Sequence, residues 1–432
     1  MQLFIWLMWL GYYLALMAVL FGGGWTFVLY GAGNRYVREL AQRPPGRPDD
    51  FLWVFFVPAL NEAVTIADSV NRLRAVKAKN LVVIVINDGS DDGTGEVLAN
   101  IGWKPLIVLT RVLPNARKGK AEALDDAFSF LLNDVLQRKK YRKWQPDQVI
   151  VGIVDADGRL DANAPAGISR HFALPRVGGV QVNVQIYNQT SYLTRMQGLE
   201  FKVFGGLYQN GRSHWGAAFM GGNGQFNRLS ALQSIATEQG PWSNYLTEDQ
   251  ELGLRLLARG WLGEQCPNTF VDQQGLNNLR RLFRQPARWM QGNLQVVRHP
   301  DRLHAHHLVG IRRVDALLTL FLPIMTLIVS TAVVVALFLW IFLHIPFLPL
   351  SQPLLMVVLI LLAVGPVSAS VMVLARGKGF RGLLIALRNM PPYVAYTFLM
   401  WPVAFRGLFN LMRGKQGWAK TAREAIVPAP AK

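Results

Sequence analysis

Two acidic clusters carry the chemistry this 432-residue chain could perform. In the run VDADG, Asp155 and Asp157 stand two apart behind an apolar stretch, where side chains at i and i+2 of an extended strand share a face. Two carboxylates so placed suit a hard divalent cation, Mg²⁺ or Mn²⁺, bridging them to a diphosphate and neutralising charge on a leaving nucleotide. Further on, TEDQELGLRL sets Thr247, Glu248 and Asp249 ahead of a helix with Leu252, Leu256 and Leu257 on its buried side. A metal-free carboxylate there, Asp249, is a candidate general base for an acceptor hydroxyl on the face opposite the leaving diphosphate. Each pattern alone is also ordinary loop or helix-capping chemistry, so the case rests on the set.

Those groups need rigid supports, and the chain supplies them between Phe51 and about Gly310. The near-continuous apolar runs LWVFFV, LVVIVI, PLIVL and QVIVGIV alternate with helical stretches, as strands of a doubly covered parallel sheet do, which makes the fold class α/β. One helix is expected after Asn61, with Val64, Ala67, Val70 and Leu73 inward. Another follows Gly119, with Ala123, Ala127, Phe130 and Leu131 on one side. Ligands of such sheets lie beyond the carboxyl ends of the strands. There the first run ends in PALNE (Pro58 to Glu62) and the second in NDGSDDGT (Asn87 to Thr94), residues suited to a base and ribose and equally to turns.

The rest of the chain is apolar. With 51% hydrophobic and 17% charged residues it is too greasy for two water-soluble domains, and the formal charge of +18 reads as membrane topology rather than nucleic-acid binding. Residues 1–33 lack Lys, Arg, Asp and Glu and form a first expected span, an anchor rather than a cleaved signal, before a basic linker over 34–50. Arg35, Arg38, Arg43 and Arg47 place that flank, and the domain 51–310, in the cytoplasm. Two more spans are expected within 311–376, about Ala316 to Leu343 and Leu354 to Ala375. An interfacial or re-entrant segment over 377–412 carries Pro391, Pro392 and Arg406, and 413–432 is a tail. Tyr187 to Gln209 reads as a stretch along the membrane surface, or as core packing. Cys266, the only cysteine, excludes an intramolecular disulfide and any cysteine metal cluster.

PALNE, NDGSDDGT, KGKAEAL, VDADG, TED and QPARW, in that order and spacing, resemble family 2 glycosyltransferases of the cellulose, chitin and hyaluronan synthase type over roughly Leu52 to Met290. The resemblance implies a GT-A fold beside transmembrane helices. It implies that Glu62 and Asp88 contact the nucleoside, Lys120 the nucleotide, and Asp155 and Asp157 the diphosphate and metal, with Asp249 as base. Gln285, Arg288 and Trp289, the QxxRW motif, would bind pyrophosphate and acceptor, the indole stacking on a sugar; the same segment also reads as an amphipathic interfacial helix. FMGGNGQFNR resembles the acceptor-side loop, with Gly222, Asn223 and nearby Glu248 facing the acceptor, though a plain tight turn reads as well. Trp418, Lys420, Thr421 and Arg423 in WAKTAR resemble a gating loop, or form a basic membrane-proximal tail.

The expectation is an inverting, multi-pass inner-membrane enzyme with a cytoplasmic catalytic domain. It would take a hexose or N-acetylhexosamine from a UDP-sugar and extend a β-linked polysaccharide, with a second copy or an accessory secretion subunit completing a pore. The alternative is single addition to a membrane-lipid acceptor. No nucleic-acid partner is expected, and a scaffold without activity would not need three acidic sites and QxxRW together.

Overall fold

The computed structural model describes residues 2–297, 306–344 and 367–414. It opens with one unbroken helix, α1 (Gln2–Gln42), which contains the expected apolar segment and continues past Gly33, so Arg35 and Arg38 lie on a helix rather than in a linker. The sheet units follow: β1 (Leu52–Ala59), α2 (Ile66–Arg74), β2 (Leu81–Asp88), α3 (Thr94–Ala99), β3 (Leu106–Arg111), α4 (Lys120–Asn133), β4 (Val149–Ile153), the short β5 (Arg159–Leu160), α5 (Ala164–Phe172) and β6 (Val177–Ile186). Then come α6 (Tyr192–Val203), a wider π turn (Phe204–Gln209), α7 (Asn210–Ser213), β7 (Gln225–Arg228), α8 (Leu229–Ile235), α9 (Glu248–Ala258), β8 (Leu262–Gln273) and α10 (Leu279–Val296).

The eight strands form one mixed sheet in the order β3-β2-β1-β4-β7-β6-β8-β5. β1 pairs in parallel with β2 on one side and β4 on the other, so strand order reverses between β1 and β4. That reversal opens a crevice past their carboxyl ends, where α/β sheets bind ligands. The apolar runs of β1, β2 and β4 are continuous because both faces are covered, whereas β3, expected to be covered as well, lies at the sheet edge and is half-exposed. Trp53, Phe55 and Val57 pack with Ile66, Val70 and Leu73 of α2. Leu52, Val54 and Phe56 meet Leu124, Ala127 and Leu131 of α4 and Leu252 and Leu256 of α9 on the other face.

Two local expectations change. The helix after β1 starts at Ile66, not behind Asn61, because Asn61 takes a left-handed φ of 54° and the Glu62 carbonyl accepts the N–H groups of Thr65 and Ile66 in a turn. Val64 is therefore exposed, and Ile66, Ser69, Val70 and Leu73 form the buried face. Likewise β4 ends at Ile153, and the stretch from Asp155 to Gly158 is a turn closed by the Gly158 N–H on the Asp155 carbonyl at 2.7 Å. Asp155 and Asp157 are thus brought together by a turn, not by the pleat of a strand.

Beyond the sheet lie α11 (Ile311–Leu343), α12 (Gly379–Leu399) and α13 (Trp401–Met412). Among the described residues one stretch, Ile311–Ala332, is long and apolar enough to cross a membrane. Of the expected span Leu354 to Ala375, residues 354–366 lie outside the described residues, as do Trp418, Lys420, Thr421 and Arg423. The segment expected to be interfacial or re-entrant comprises two helices meeting at Met400, with Pro391 and Pro392 inside the first. α6, in the stretch expected along the membrane surface or in the core, packs under α12: the Tyr192 hydroxyl donates to the Pro392 carbonyl at 2.7 Å and the Tyr396 hydroxyl to Glu200 at 2.8 Å. α13 lies on α10, close enough that a Cβ on Gly407 would be 2.8 Å from the Met290 side chain.

Candidate active site

The crevice floor is a knot of loops. Asn61 and Asp91 exchange two hydrogen bonds, the Asn61 amide donating to the carboxylate at 2.8 Å and the Asp91 N–H returning to Asn61 Oδ1 at 3.0 Å. The Glu62 N–H donates to Thr94 Oγ1 at 2.9 Å, and the Glu62 carboxylate accepts from the Thr65 hydroxyl at 2.8 Å. PALNE and NDGSDDGT, ordinary turn sequences singly, hold each other in place. Asp88 is not open to a ligand in the same way. It is buried and ion-paired with Arg111, and it also accepts the Arg117 N–H at 3.0 Å, so its carboxylate ties β2 to β3 and the following loop.

Four groups converge at the other side. Lys120, the first residue of α4, donates from Nζ to Asp155 Oδ1 at 2.8 Å and lies 3.7 Å from Glu248 Oε1. Burial alone would lower the Lys120 pKa, but Asp155, Glu248 and Asp249 outweigh it and hold the ammonium above the usual lysine value. Asp249 behaves oppositely. Burial and then the adjacent Glu248 push its carboxyl up to about 7, against the pull of Lys120. Gly222, with φ of 74°, lies against this pair: a Cβ there would stand 2.9 Å from Asp249 Oδ2 and 3.6 Å from Lys120 Nζ. Asn223 accepts the Asp155 N–H on Oδ1 at 3.1 Å, which joins the glycine loop to the acidic turn.

The sequence reading missed what holds that loop. Gln181, buried in β6, accepts the Gly221 N–H at 2.8 Å and donates to the Asn223 carbonyl at 2.8 Å. Asn223 Nδ2 donates to Gln273 of β8 at 3.3 Å. Two glutamines inside strands carry no spacing signal, and only the sheet order makes them neighbours.

Gln285, Arg288 and Trp289 are half-buried on α10. This helix reaches the acidic cluster from behind. A Cβ on Gly292 would sit 2.8 Å from the Thr247 nitrogen, and Gln295 Oε1 accepts the Leu246 N–H at 3.3 Å. α10 is therefore seated on the residues that lead into Glu248 and Asp249. The Trp289 ring meets Phe201 of α6 edge-on at 6.4 Å between centroids.

Among the described residues no group of three or more His, Cys, Asp and Glu is gathered to hold a metal by itself. The donor set nevertheless fits a hard cation. Asp155 already draws an ammonium to 2.8 Å, Asp157 follows in the same turn, and Mg²⁺-type ions take one or two carboxylates and complete their shell with phosphate oxygens and water.

A model of the glycosyl transferase family group 2 matches residues 150–408, and one of glycosyl transferase family 2 matches 54–235. The chain belongs to glycosyl transferase family group 2. This glycosyltransferase is 27% identical over 267 residues to poly-beta-1,6-N-acetyl-D-glucosamine synthase of Staphylococcus aureus, covering 60% of the chain and 59% of the relative. It is 27% identical over 244 residues to beta-monoglucosyldiacylglycerol synthase of Synechocystis, covering 55% of the chain and 47% of that protein. The chain thus matches about half to three-fifths of the length of these curated relatives. A mannosyltransferase from Pyrobaculum calidifontis, solved with GDP-Man and Mn²⁺, superposes with a TM-score of 0.59 over 93% of the chain and 98% of its own at 17% identity, which establishes a shared GT-A-like fold.

Proposed function

We propose that this glycosyltransferase is an inverting, membrane-embedded synthase that transfers a hexose or N-acetylhexosamine from a UDP-sugar to a growing β-linked polysaccharide. The observation that carries this reading is the placement of Asp249: a carboxyl poised near neutrality, beside Lys120 and against Gly222, within reach of the turn bearing Asp155. A base with a pKa near 7 takes an acceptor proton efficiently at neutral pH. Glu62 contacts the nucleoside and Asp88 stiffens the loop around it. Lys120 is the cation that meets the nucleotide, displaced from Asp155 as diphosphate arrives. Asp155 and Asp157 would hold Mg²⁺ or Mn²⁺, whose role when bound is to neutralise charge on the departing nucleoside diphosphate. Gln285 and Arg288 add charge-assisted hydrogen bonds to the pyrophosphate, and Trp289 with Gly222, Asn223 and Glu248 receives the acceptor sugar. α1 and α11 embed the enzyme in the inner membrane, with the sheet on the cytoplasmic side and further spans and a second copy or secretion subunit completing the export path.

A second reading, addition of one sugar to a membrane lipid, is favoured by the similarity to the Synechocystis lipid glucosyltransferase and by the apolar side chains Phe405, Phe409 and Met412 that α13 leaves exposed beside α10. Product size separates the two. Purified enzyme in lipid with Mn²⁺ and labelled UDP-sugars should give a ladder of long glycans, whereas a single glycolipid band would establish the lipid reading. Trp289→Ala should keep donor hydrolysis and lose elongation, and equal loss of both would overturn the acceptor role of the indole.

A further inference from the structure

A chain of buried polar groups runs between the long apolar helices and the glycine loop, and no step described above uses it. Asp315, near the start of α11, is fully buried, a position that a carboxylate occupies only when paired and hydrogen-bonded. Its partners come from two other elements. Arg212 Nε on α7 stands 3.2 Å from Asp315 Oδ2, and the Trp25 indole N–H on α1 donates to Asp315 Oδ1 at 3.0 Å.

Arg212 does not stop at the ion pair. Its Nη1 donates to Gln209 Oε1 at 3.3 Å, and its guanidinium lies over the Phe219 ring, 5.4 Å from the centroid. Gln209, completely buried at the end of the π turn, holds both backbone groups of Phe219: its amide donates to the Phe219 carbonyl, and its Oε1 accepts the Phe219 N–H at 3.3 Å. Phe219 opens the stretch in which Gly221 is fixed by Gln181 and Gly222 meets Asp249. π turns interrupt helices at an energetic cost and recur at functional sites, and this one delivers the glutamine that grips the loop.

We propose that Arg212 is a positioning residue for glycosyl transfer: anchored by Asp315 and Trp25, it sets through Gln209 the placement of Phe219–Asn223 against Asp249, so that the seating of α1 and α11 governs the acceptor side of the site. The proposal rests on the acceptor-loop reading of Gly222 and Asn223. An ion pair serving stability alone could be exchanged for uncharged groups without loss of turnover. One serving placement could not.

The test uses the full chain in lipid nanodiscs. Trp25→Phe removes one hydrogen bond, and Arg212→Gln with Asp315→Asn removes both charges together, so neither variant leaves an orphaned buried ion. Both should keep their affinity for UDP, lose roughly 10- to 100-fold in kcat for transfer, and exchange the amide hydrogens of 219–223 faster than the parent. Unchanged exchange with full kcat would overturn the proposal, and so would a parallel fall of kcat, UDP affinity and melting temperature, the mark of a merely structural pair. Gly222→Ala checks the underlying reading separately, since full activity there would remove the acceptor role of the loop whatever Arg212 does.

Discussion

Asp249 is asked to be two things at once: a base that must be charged to work and a carboxyl whose surroundings resist charge. Because its folded pKa is raised to about 7 from 3.8, the folded state binds its proton more tightly than the unfolded chain does. Its contribution therefore favours folding most at low pH and is lost as pH rises from about 4 through about 7. Activity runs the opposite way, needing the carboxylate, so kcat/KM, which reports the free enzyme, should rise with pH through an inflection near 7. Asp249→Asn should cut kcat by about 10²- to 10⁴-fold while leaving UDP binding intact, and at pH 8 it should melt a few degrees higher than the parent. Equal melting temperatures at pH 8 would contradict the raised Asp249 pKa, which already includes the pull of Lys120. Gly222→Ala must strain a φ of 74° and press a methyl on Asp249 Oδ2, so it should lower kcat with little change in UDP affinity. A structure of that variant with an unmoved Asp249 would contradict the explanation.

The elements divide into those the sequence makes plain and those that only folding decides. β1, β2 and β4 are legible because strands covered on both faces need continuous apolar runs, and α9 because Leu252, Leu256 and Leu257 recur at helical spacing. The start of α2 and the turn at Asp155 are not, since Thr94, Asp92 and Asn223, distant in sequence, fix them by hydrogen bonds. The same holds in the site: Lys120, Asp155, Glu248 and Asp249 could be read from motifs, but the ion pair that occupies Asp88 and the grip of Gln181 on the glycine loop depend on strand order. α10 adds a testable case. Gly292 touches the backbone of Thr247, so Gly292→Val should push α10 off the acidic cluster, destabilise the fold by about 1–3 kcal/mol and weaken UDP binding through displaced Gln285 and Arg288. Unaltered UDP affinity in this variant would argue that α10 does not serve the donor.

At the scale of the molecule, α1 is bound to the sheet by more than apolar contact. Arg43, just past its end, makes a two-pronged ion pair with Glu264 of β8 at 2.7 and 2.9 Å, and His171 of α5 meets the same carboxylate at 2.7 Å. The Tyr36 hydroxyl donates to the Gln265 carbonyl at 2.7 Å, and Gly33 and Gly211 let α1 and α7 approach closely. Burial would lower the His171 pKa, yet hydrogen bonds with Cys266 and Glu264 prevail and raise it to about 9 from 6.5. Its charge therefore contributes stability in full below about pH 6.5, and that contribution is lost as pH rises through about 9. The melting temperature should fall across that window, and His171→Gln should flatten the decline; an equally steep decline in the variant would assign it to other groups. The clamp also bears on anyone wishing to excise a soluble catalytic fragment. Cutting before Leu52 removes Arg43 and uncovers Glu264 and His171 on what had been an interior seam, so the trimmed polypeptide inherits a raw flank and should clump unless detergent or a surrogate helix shields it.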